Sequence, residues 1–352
     1  MFFINWRKKS FGLDISEKVF RIVQLSKYGS KIKLISYHSI NIPQGILKDG
    51  KIVSQDKAIS LINQLIHGAK GKKIFTRFVT ACLAETKTFI KLINLEEKDN
   101  KNKDKDIVPE IIEESKKHIP YPLEDVYLDW QYSGDQKQVL IGVCPKEIVE
   151  NYQEVLIKAG LIPLALEIEA AAIVRSIFPV KENIKKPVMI LDLGANRSGF
   201  IVYLNSTIPF TLSLTFSGDF LTQELMKKLK INVEEAEKAK CLIGLDKSKA
   251  QSYVYQILAP LFKQLCQKIR EAKYFYHEHF YGQGDITKLY LTGGVSMIPG
   301  GAEFLAREID MEVKLADPLV NLSSGGLTIP KENIQSYTTA IGLALRNLYL
   351  TD

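Results

Sequence analysis

The sequence has few cysteines, no long apolar run and no strong excess of charge of one sign. Its cysteines are Cys82, Cys144, Cys241 and Cys266. Because no two of them form a C-x-x-C pair, a disulfide framework or a zinc site is not expected. No apolar run is long enough to span a bilayer. The apolar residues at the N-terminus precede the basic ones, unlike those of a signal peptide, so we expect a cytoplasmic protein.

The charge balance gives little support for a nucleic-acid-binding protein. The 352 residues include 47 Lys and Arg and 40 Asp and Glu, a net charge of +7. No stripe of basic residues with interleaved aromatics accompanies this modest excess. Hydrophobic residues make up 46% of the chain and charged residues 25%, which is typical of globular proteins. The length predicts about two domains of ~150 residues each.

One pattern occurs twice in the chain. Residues 11–23 and residues 188–202 each read as an apolar strand, an aspartate at its end, a short polar turn and a second apolar strand. The two aspartates are Asp14 and Asp192. The duplication predicts two similar lobes that present a turn and a carboxylate to one cleft. Backbone N–H groups of such turns bind phosphate, and the carboxylates hold hydrated Mg²⁺.

Strands and helices alternate in both halves, which predicts a two-lobed α/β protein. We expect the first lobe to span residues 1–180 and the second lobe residues 181–352. Residues from about 30 to 165 interrupt the symmetry of the first lobe, so we interpret them as an inserted α/β subdomain.

Two glycine-containing segments are candidate ligand-binding turns. In residues 192–198, Gly194 permits close approach of a phosphate, and the side chains that follow it add hydrogen-bond donors. A plain β-hairpin explains that segment equally well. In residues 291–300, a strand ends at two glycines before a helix begins, which lets an adenine ring or a phosphate approach the backbone. Such turns are common, so this second signal is weak by itself.

Three charged side chains have two interpretations each. Glu237 and Lys240 lie at i, i+3 spacing on a helix, where they form either a surface ion pair or a pair of hydrogen-bonding groups for a ribose. Glu169 lies where a strand leads into a helix. It either positions a water molecule near a terminal phosphate or occupies the first turn of the helix without a further role.

Taken in order, these motifs resemble those of the actin-like ATPase superfamily, whose duplicated lobes have a ribonuclease H-like fold. Within it the chain resembles the PilM family of type IV pilus assembly proteins. The finer likeness lies in residues 119–124 (IPYPLE), 128–131 (LDWQ), 145–147 (PKE) and 159–163 (AGLIP). The resemblance spans nearly the whole chain, and it is specific in combination although each piece is loose.

The resemblance implies that ATP or ADP binds with Mg²⁺ between the lobes. The implied nucleotide-binding residues are Asp14, Ser16, Lys18, Asp192, Gly194, Asn196, Arg197, Ser198, Gly218, Glu237, Lys240, Gly293, Gly294, Ser296 and Met297. Asp14 and Asp192 would hold the metal through water, and Glu169 would position the attacking water. Glu169 would also lie at the first connection between the lobes, and Gly342 at the second.

The family also implies a function in pilus assembly. The chain would be a nucleotide-binding adaptor under the inner membrane, peripheral to it through a partner. That partner would be a PilN-like inner-membrane protein, whose N-terminal cytoplasmic tail binds in a groove beside the insert. The assembly motor ATPases are further candidate partners. No nucleic acid is expected.

The first phosphate turn departs from the family pattern. Ser16 replaces a glycine, and Glu17 adds a negative charge near the expected phosphates. Because like charges repel at close range, we expect weak ATP hydrolysis or none.

Three alternatives remain open from the residues. A cell-division protein of the FtsA type has the same core, although the C-terminal amphipathic helix of that family is not evident here. A small-molecule kinase of the same superfamily would need a general base, which the sequence does not reveal. A pair of degenerate lobes that binds only protein is the third alternative.

Overall fold

The computed structural model describes residues 9–84, 87–95, 107–132, 138–180, 182–280 and 284–349. The strands of these residues are β1 (Ser10–Ile15), β2 (Val19–Tyr28), β3 (Lys31–Asn41), β4 (Leu47–Lys48), β5 (Lys51–Ile52), β6 (Lys70–Gly71), β7 (Phe78–Leu83), β8 (Phe89–Asn94), β9 (Val126–Tyr132), β10 (Gln138–Pro145), β11 (Ile162–Ile168), β12 (Val188–Leu193), β13 (Ser198–Leu204), β14 (Thr207–Leu214), β15 (Lys288–Thr292) and β16 (Glu312–Leu315). The helices are α1 (Gln55–His67), α2 (Val108–Lys116), α3 (Lys146–Lys158), α4 (Glu169–Ile177), α5 (Gly218–Leu229), α6 (Val233–Leu242), α7 (Tyr253–His279), α8 (Gly301–Glu308) and α9 (Thr338–Tyr349).

The first sheet has six strands in the order β11-β7-β1-β2-β3-β6. β1, β2 and β3 form an antiparallel meander, whereas β7 pairs in parallel with β1, and β11 pairs in parallel with β7. β1 is buried along its whole length. This agrees with its apolar sequence, because a central strand is covered on both faces.

The second sheet repeats the topology of the first. Its order is β14-β13-β12-β15-β16, with an antiparallel meander of β12, β13 and β14 and with β15 and β16 in parallel. In both sheets the aspartate-bearing strand is central and leads directly into its hairpin partner. The duplicated sequence pattern thus corresponds to duplicated topology.

A third, antiparallel sheet has the order β8-β10-β9. It packs around a separate cluster that includes Ile111 of α2. This sheet contains only part of the predicted insert of residues 30–165. The strands β3, β7 and β11, which begin within that range, belong to the first sheet. The division of the lobes at residues 180 and 181 stays our proposal.

Two helices pack closely between the sheets. A Cβ atom at Gly342 of α9 would lie 1.8 Å from the carbonyl oxygen of Ala172 in α4. Only glycine permits this approach of two helix backbones. Arg175 of α4 joins the two helices further, since it donates to the carbonyl oxygen of Gly342 at 2.9 Å and to both carboxylate oxygens of Glu167 at 2.8 Å.

Candidate functional site

The two aspartate-bearing hairpins face one cleft. Asp14 lies near the end of β1, opposite Arg21 in the strand register, and Asp192 lies near the end of β12, opposite Gly199. The cleft between them is open to solvent, and the empty space in and in front of it amounts to about 690 Å³. Nine residues predicted from the sequence line it, namely Asp14, Ser16, Lys18, Glu169, Asp192, Gly194, Asn196, Arg197 and Ser198.

Two contacts join the first hairpin turn to the second lobe across the cleft. Lys18 Nζ of the first turn lies 2.6 Å from Asp219 Oδ1 in the first turn of α5. The amide of Asn196 in the second turn donates to the carboxylate of Glu17 in the first. Lys18 is therefore already paired with a carboxylate, and a phosphate would compete with Asp219 for it.

The hydroxyl of Ser16 has a local role. It donates to the carbonyl oxygen of Val19 at 2.7 Å and so closes the first turn. A serine hydroxyl has one hydrogen to donate. A phosphate bound here would therefore contact backbone N–H groups of this turn. The Ser16 hydroxyl could donate to it only by giving up its hydrogen bond to Val19.

Asp14 is a buried carboxyl group with a perturbed acidity. Burial raises its pKa from 3.8 to about 6, although the nearby guanidinium of Arg21 acts in the opposite direction, and Glu169 raises it further. Arg21 Nη1 lies 3.4 Å from Asp14 Oδ2. A cation in the cleft would favour the charged form of Asp14, as expected of a carboxylate that holds a metal through water.

Arg197 reaches from the second turn toward Glu169. Its Nη2 lies 3.7 Å from Glu169 Oε2, and Glu169 Oε1 accepts a hydrogen bond of 3.3 Å from Thr339. The other terminal nitrogen, Nη1, is buried without a hydrogen-bond partner among the described residues. The same holds for the hydroxyl groups of Ser198 and Tyr152. Buried donors of this kind are rare in folded proteins and indicate an occupant such as water or a ligand oxygen.

The predicted adenosine turn directly abuts Asp192. Gly293 has φ +81°, and a Cβ atom there would lie 2.7 Å from Asp192 Oδ1 and 2.4 Å from the carbonyl oxygen of Leu193. Ser296 Oγ donates to the carbonyl oxygen of Gly293 at 2.7 Å, which closes the turn. Gly294, Ser296 and Met297 form a single 3-10 turn. None of these four residues lines the cleft described above.

Lys240 is a buried side chain that joins two helices. Its Nζ donates to the carbonyl oxygen of Gly218 at 3.0 Å, to Thr222 Oγ1 at 2.8 Å and to Glu237 Oε1 at 2.7 Å. An ammonium group has three donors, so all of them are used. A ribose would therefore meet Glu237 before Lys240. Neither residue lines the cleft, and Gly218 does not line it either.

The turn of residues 194–198, predicted to bind phosphate, is fixed by the start of α5. The backbone N–H of Gly218 donates to the carbonyl oxygen of Gly194 at 3.0 Å, and that of Asp219 donates to Ala195 at 2.8 Å. Ser217 caps the helix by accepting from Phe220 N. These bonds orient the turn, so Gly218 acts on the site through Gly194.

Sequence reasoning missed the contribution of β7 to the cleft. Cys82, Leu83 and Ala84 line it, and Cys82 Sγ lies 3.5 Å from Asp14 Oδ1. A usable signal was present, because the apolar run ending at residue 83 has the pattern of a buried strand. Parallel strands end at the same edge of a sheet, but their pairing cannot be read from that run alone.

The described residues contain neither a membrane-spanning helix nor a cluster of metal ligands. No helix among them has both the length and the apolarity needed to cross a bilayer. No group of three or more His, Cys, Asp or Glu side chains within the same residues is placed to hold a metal ion.

Solved structures show similar folds. The chain aligns with one from a PilM-PilN type IV pilus biogenesis complex at a TM-score of 0.80 and 22% identity, covering 97% of this chain and 99% of that one. MreB5 of Spiroplasma citri bound to ADP aligns at a TM-score of 0.59 and 12% identity, covering 96% of this chain and 95% of that one. The predicted two-lobed actin-like fold is thereby confirmed.

Sequence comparison gives a relative and a family. The cell division protein FtsA of Neisseria meningitidis serogroup B is 25% identical over 214 residues, which cover 55% of this chain and 50% of that protein. The match thus spans half the length of this curated relative. A family model described as type IV pilus assembly protein PilM matches residues 12–348. Because this match covers nearly the entire sequence, the chain belongs to the PilM family of type IV pilus assembly proteins.

Proposed function

We propose that this chain is a nucleotide-binding adaptor of the inner-membrane platform that assembles type IV pili. The observation that carries the nucleotide part is the convergence of two aspartate-bearing turns on one cleft. The family membership supports the assembly part. An MreB similar in fold is bound to ADP in one structure and to AMPPNP in another, which supports the choice of an adenine nucleotide.

The residues of the cleft fit a nucleotide with Mg²⁺. Arg197 Nη1 and Ser198 Oγ are buried donors without partners among the described residues, and phosphate oxygens would satisfy them. Mg²⁺ commonly keeps several waters and few protein ligands, so Asp14 and Asp192 are a sufficient carboxylate set. When bound, Mg²⁺ would neutralise phosphate charge.

Hydrolysis should be weak or absent. Glu169 lies at the start of α4 and lines the cleft, where it is the candidate for positioning a water molecule. Its carboxylate, however, is engaged by Arg197 and Thr339. Glu17 adds a negative charge to the turn that would receive the phosphates. The nucleotide therefore acts as a ligand that changes the arrangement of the lobes.

The proposed partner is the N-terminal cytoplasmic tail of a PilN-like inner-membrane protein. A PilM-PilN complex contains a chain of similar fold that this protein matches over nearly its full length, which supports the proposal. The tail would bind in a groove beside the sheet of β8, β9 and β10. The adaptor would then be a cytoplasmic protein, peripheral to the inner membrane through its partner, and the assembly motor ATPases would be further partners.

Isothermal titration of Mg-ATP into the purified chain tests the nucleotide part. We expect micromolar binding that Asp192→Ala abolishes and that Asp310→Ala, at an exposed position, leaves unchanged. Absence of binding at millimolar Mg-ATP would contradict it. A steady-state phosphate-release assay tests the expected lack of hydrolysis, which brisk turnover abolished by Asp14→Ala would refute.

Titration of a PilN-tail peptide tests the adaptor part. We expect the affinity of the peptide to change when saturating Mg-ATP is present, and the change to disappear in Asp192→Ala. If the affinity of the peptide were the same with and without Mg-ATP, the chain would be a protein-binding module that the nucleotide does not regulate. No peptide binding under either condition would refute the proposed partner.

A further inference from the structure

The first sheet has two edges of different chemistry. Asp14 and the cleft lie at the edge where β1 ends. β1, β7 and β11 all begin at the opposite edge, because they run in parallel, and the β2–β3 turn lies there too, because β2 is antiparallel to β1. We call this second edge the basic edge, because it carries several exposed cations. They are Lys9, Lys31, Lys33, Lys72, Lys73 and Arg77.

Three cations of the basic edge lie close to Tyr28 although they come from separate segments. Tyr28 shows this, since a hydrogen bond from Ser26 and then the charges of Lys72, Lys9 and Lys33 lower the pKa of its exposed phenol. The loop of residues 72–77 is also fixed at both ends. The N–H of Lys72 donates to Ile35 O at 3.1 Å, and the hydroxyl of Thr76 donates to the carbonyl oxygen of Lys9.

The segments that carry these cations contain no acidic residue. The sequence has no Asp or Glu between residues 18 and 48 or between residues 57 and 84. None of the six cations forms an ion pair with a carboxylate in the part of the chain that the structure describes. Lysines elsewhere do form such pairs, as Lys158 does with Glu154 at 2.7 Å. Much of the modest excess of positive charge is therefore concentrated at one end of the first lobe.

An exposed aromatic residue lies within the same loop. Phe75 is 87% exposed and stands between Lys73 and Arg77 in the sequence. Tyr28 is 61% exposed at the neighbouring turn. A large aromatic side chain left in solvent among unpaired cations is typical of surfaces that meet the interface of a membrane, where the ring enters the boundary and the cations meet the headgroups.

The residues that precede Lys9 have the same chemistry in the sequence. They include three aromatic residues, Phe2, Phe3 and Trp6, followed by Arg7 and Lys8. They lie outside the described residues.

We propose that the basic edge is a membrane-contact surface that binds anionic phospholipid headgroups and inserts Phe75 at the headgroup boundary. The charge selects the partner, because anionic leaflets attract clustered Lys and Arg residues that have no acidic neighbours. The exposed ring of Phe75 adds an apolar contact that a soluble polyanion does not need. The surface lies at the end of the sheet opposite the cleft, so membrane contact and nucleotide binding do not exclude each other.

Sedimentation of the full chain with vesicles tests this proposal without nucleotide or partner peptide. The vesicles contain either phosphatidylcholine alone or equal parts of phosphatidylcholine and phosphatidylglycerol. We expect binding to the anionic vesicles only, decreasing with salt. The variant K31Q/K33Q/K72Q/K73Q should bind roughly six-hundredfold more weakly, since each of the four lysines near the surface contributes roughly fivefold.

A second quadruple variant is the matched control. K185Q/K186Q/K227Q/K228Q removes the same charge from exposed positions of the second lobe and should bind almost as the unchanged chain does. Phe75→Ser changes no charge and should weaken binding roughly tenfold, because the apolar contact is lost. Circular dichroism checks that each variant is folded.

Three results would overturn the proposal. An equal loss of vesicle affinity in both quadruple variants would mean that net charge alone drives binding. Unchanged affinity in Phe75→Ser would show that the ring of Phe75 does not insert into the membrane. Binding of a double-stranded oligonucleotide through the same lysines, with no vesicle binding, would replace the lipid by nucleic acid.

Discussion

Asp14 is the residue at which stability and ligand binding conflict. It is 4% exposed, and burial raises its pKa to about 6. In the unfolded chain the ordinary value of 3.8 applies. The folded state therefore holds the proton more tightly, and stability is lost as the pH rises through the interval between these two values.

Replacing Asp14 by asparagine should therefore stabilise the protein at neutral pH. We expect Asp14→Asn to raise the free energy of unfolding by about 1–3 kcal/mol at pH 7.5. The gain should shrink toward zero below pH 3.8, where the carboxyl group is protonated in both states. Urea unfolding at several pH values measures this. A gain of the same size at low pH would refute the electrostatic origin, and Asp310→Asn at an exposed position is the control.

Glu17 is the residue expected to weaken nucleotide binding. It lines the cleft in the first phosphate turn and accepts a hydrogen bond from Asn196. Glu17→Gln keeps an oxygen for Asn196 but removes the charge. We expect the Kd for Mg-ATP to fall roughly fivefold, because one repulsive charge is lost near the phosphates.

Titration calorimetry compares Glu17→Gln with Glu332→Gln, at an exposed position outside the cleft. Equal affinity in Glu17→Gln and the unchanged chain would show that the carboxylate does not face the phosphates.

Residue types in a recurring pattern can be read from the sequence, but their partners cannot. Asp14 and Asp192 were predicted because each ends an apolar strand before a polar turn. Arg21 was not predicted, since its approach to Asp14 depends on the strand register. Lys240 was expected at a ribose, whereas its ammonium group is bonded to three atoms of α5 and α6.

At the scale of elements, the crossing of α4 and α9 depends on one glycine. The carbonyl oxygen of Ala172 occupies the space that a side chain at Gly342 would need. Gly342→Ala should therefore force the two helices apart. We expect the free energy of unfolding to fall by about 3 kcal/mol, since backbone atoms cannot move aside as a flexible side chain can.

Gly301→Ala in α8 is the matched control for this change. The nearest atom to its Cβ would lie at 3.6 Å, an ordinary contact, so stability should be unchanged or slightly higher. Chemical denaturation measures both variants. Equal stability of Gly342→Ala and Gly301→Ala would show that α4 and α9 can move apart without lowering the free energy of unfolding.

Hairpins were easier to predict than sheet membership. The hairpin of β12 and β13 is local, and its sequence carries both strands and the turn. The pairing of β7 with β1 and of β11 with β7 joins residues far apart in the chain. The predicted insert of residues 30–165 therefore included strands of the first sheet, because periodicity identifies a strand and not its neighbours.

At the scale of the whole molecule, the lobes are joined across the cleft by an ion pair. Lys18 Nζ lies 2.6 Å from Asp219 Oδ1, with side chains 40% and 23% exposed. Asp219→Asn should weaken this pair and release Lys18 toward a phosphate. Because partly exposed pairs contribute about 0.2–1 kcal/mol, we expect the affinity for Mg-ATP to rise roughly twofold to fivefold.

Calorimetry measures this affinity, and small-angle scattering measures the radius of gyration without nucleotide. We expect a slightly larger radius in Asp219→Asn, because one contact between the lobes is weakened. Asp285→Asn at an exposed position is the control. Weaker ATP binding in Asp219→Asn would mean that Asp219 supports the site directly and does not compete for Lys18.

The sequence by itself determined the duplication, the two carboxylates and the glycine turns, because each depends on neighbours within one hairpin or turn. The tertiary structure alone decided which residues meet across the cleft. Lys18 pairs with Asp219, Arg197 approaches Glu169, and Gly293 abuts Asp192. It also gathered the cations of the basic edge, which the sequence shows only as scattered lysines. Contacts between distant segments depend on strand order and lobe packing, and no local pattern contains that information.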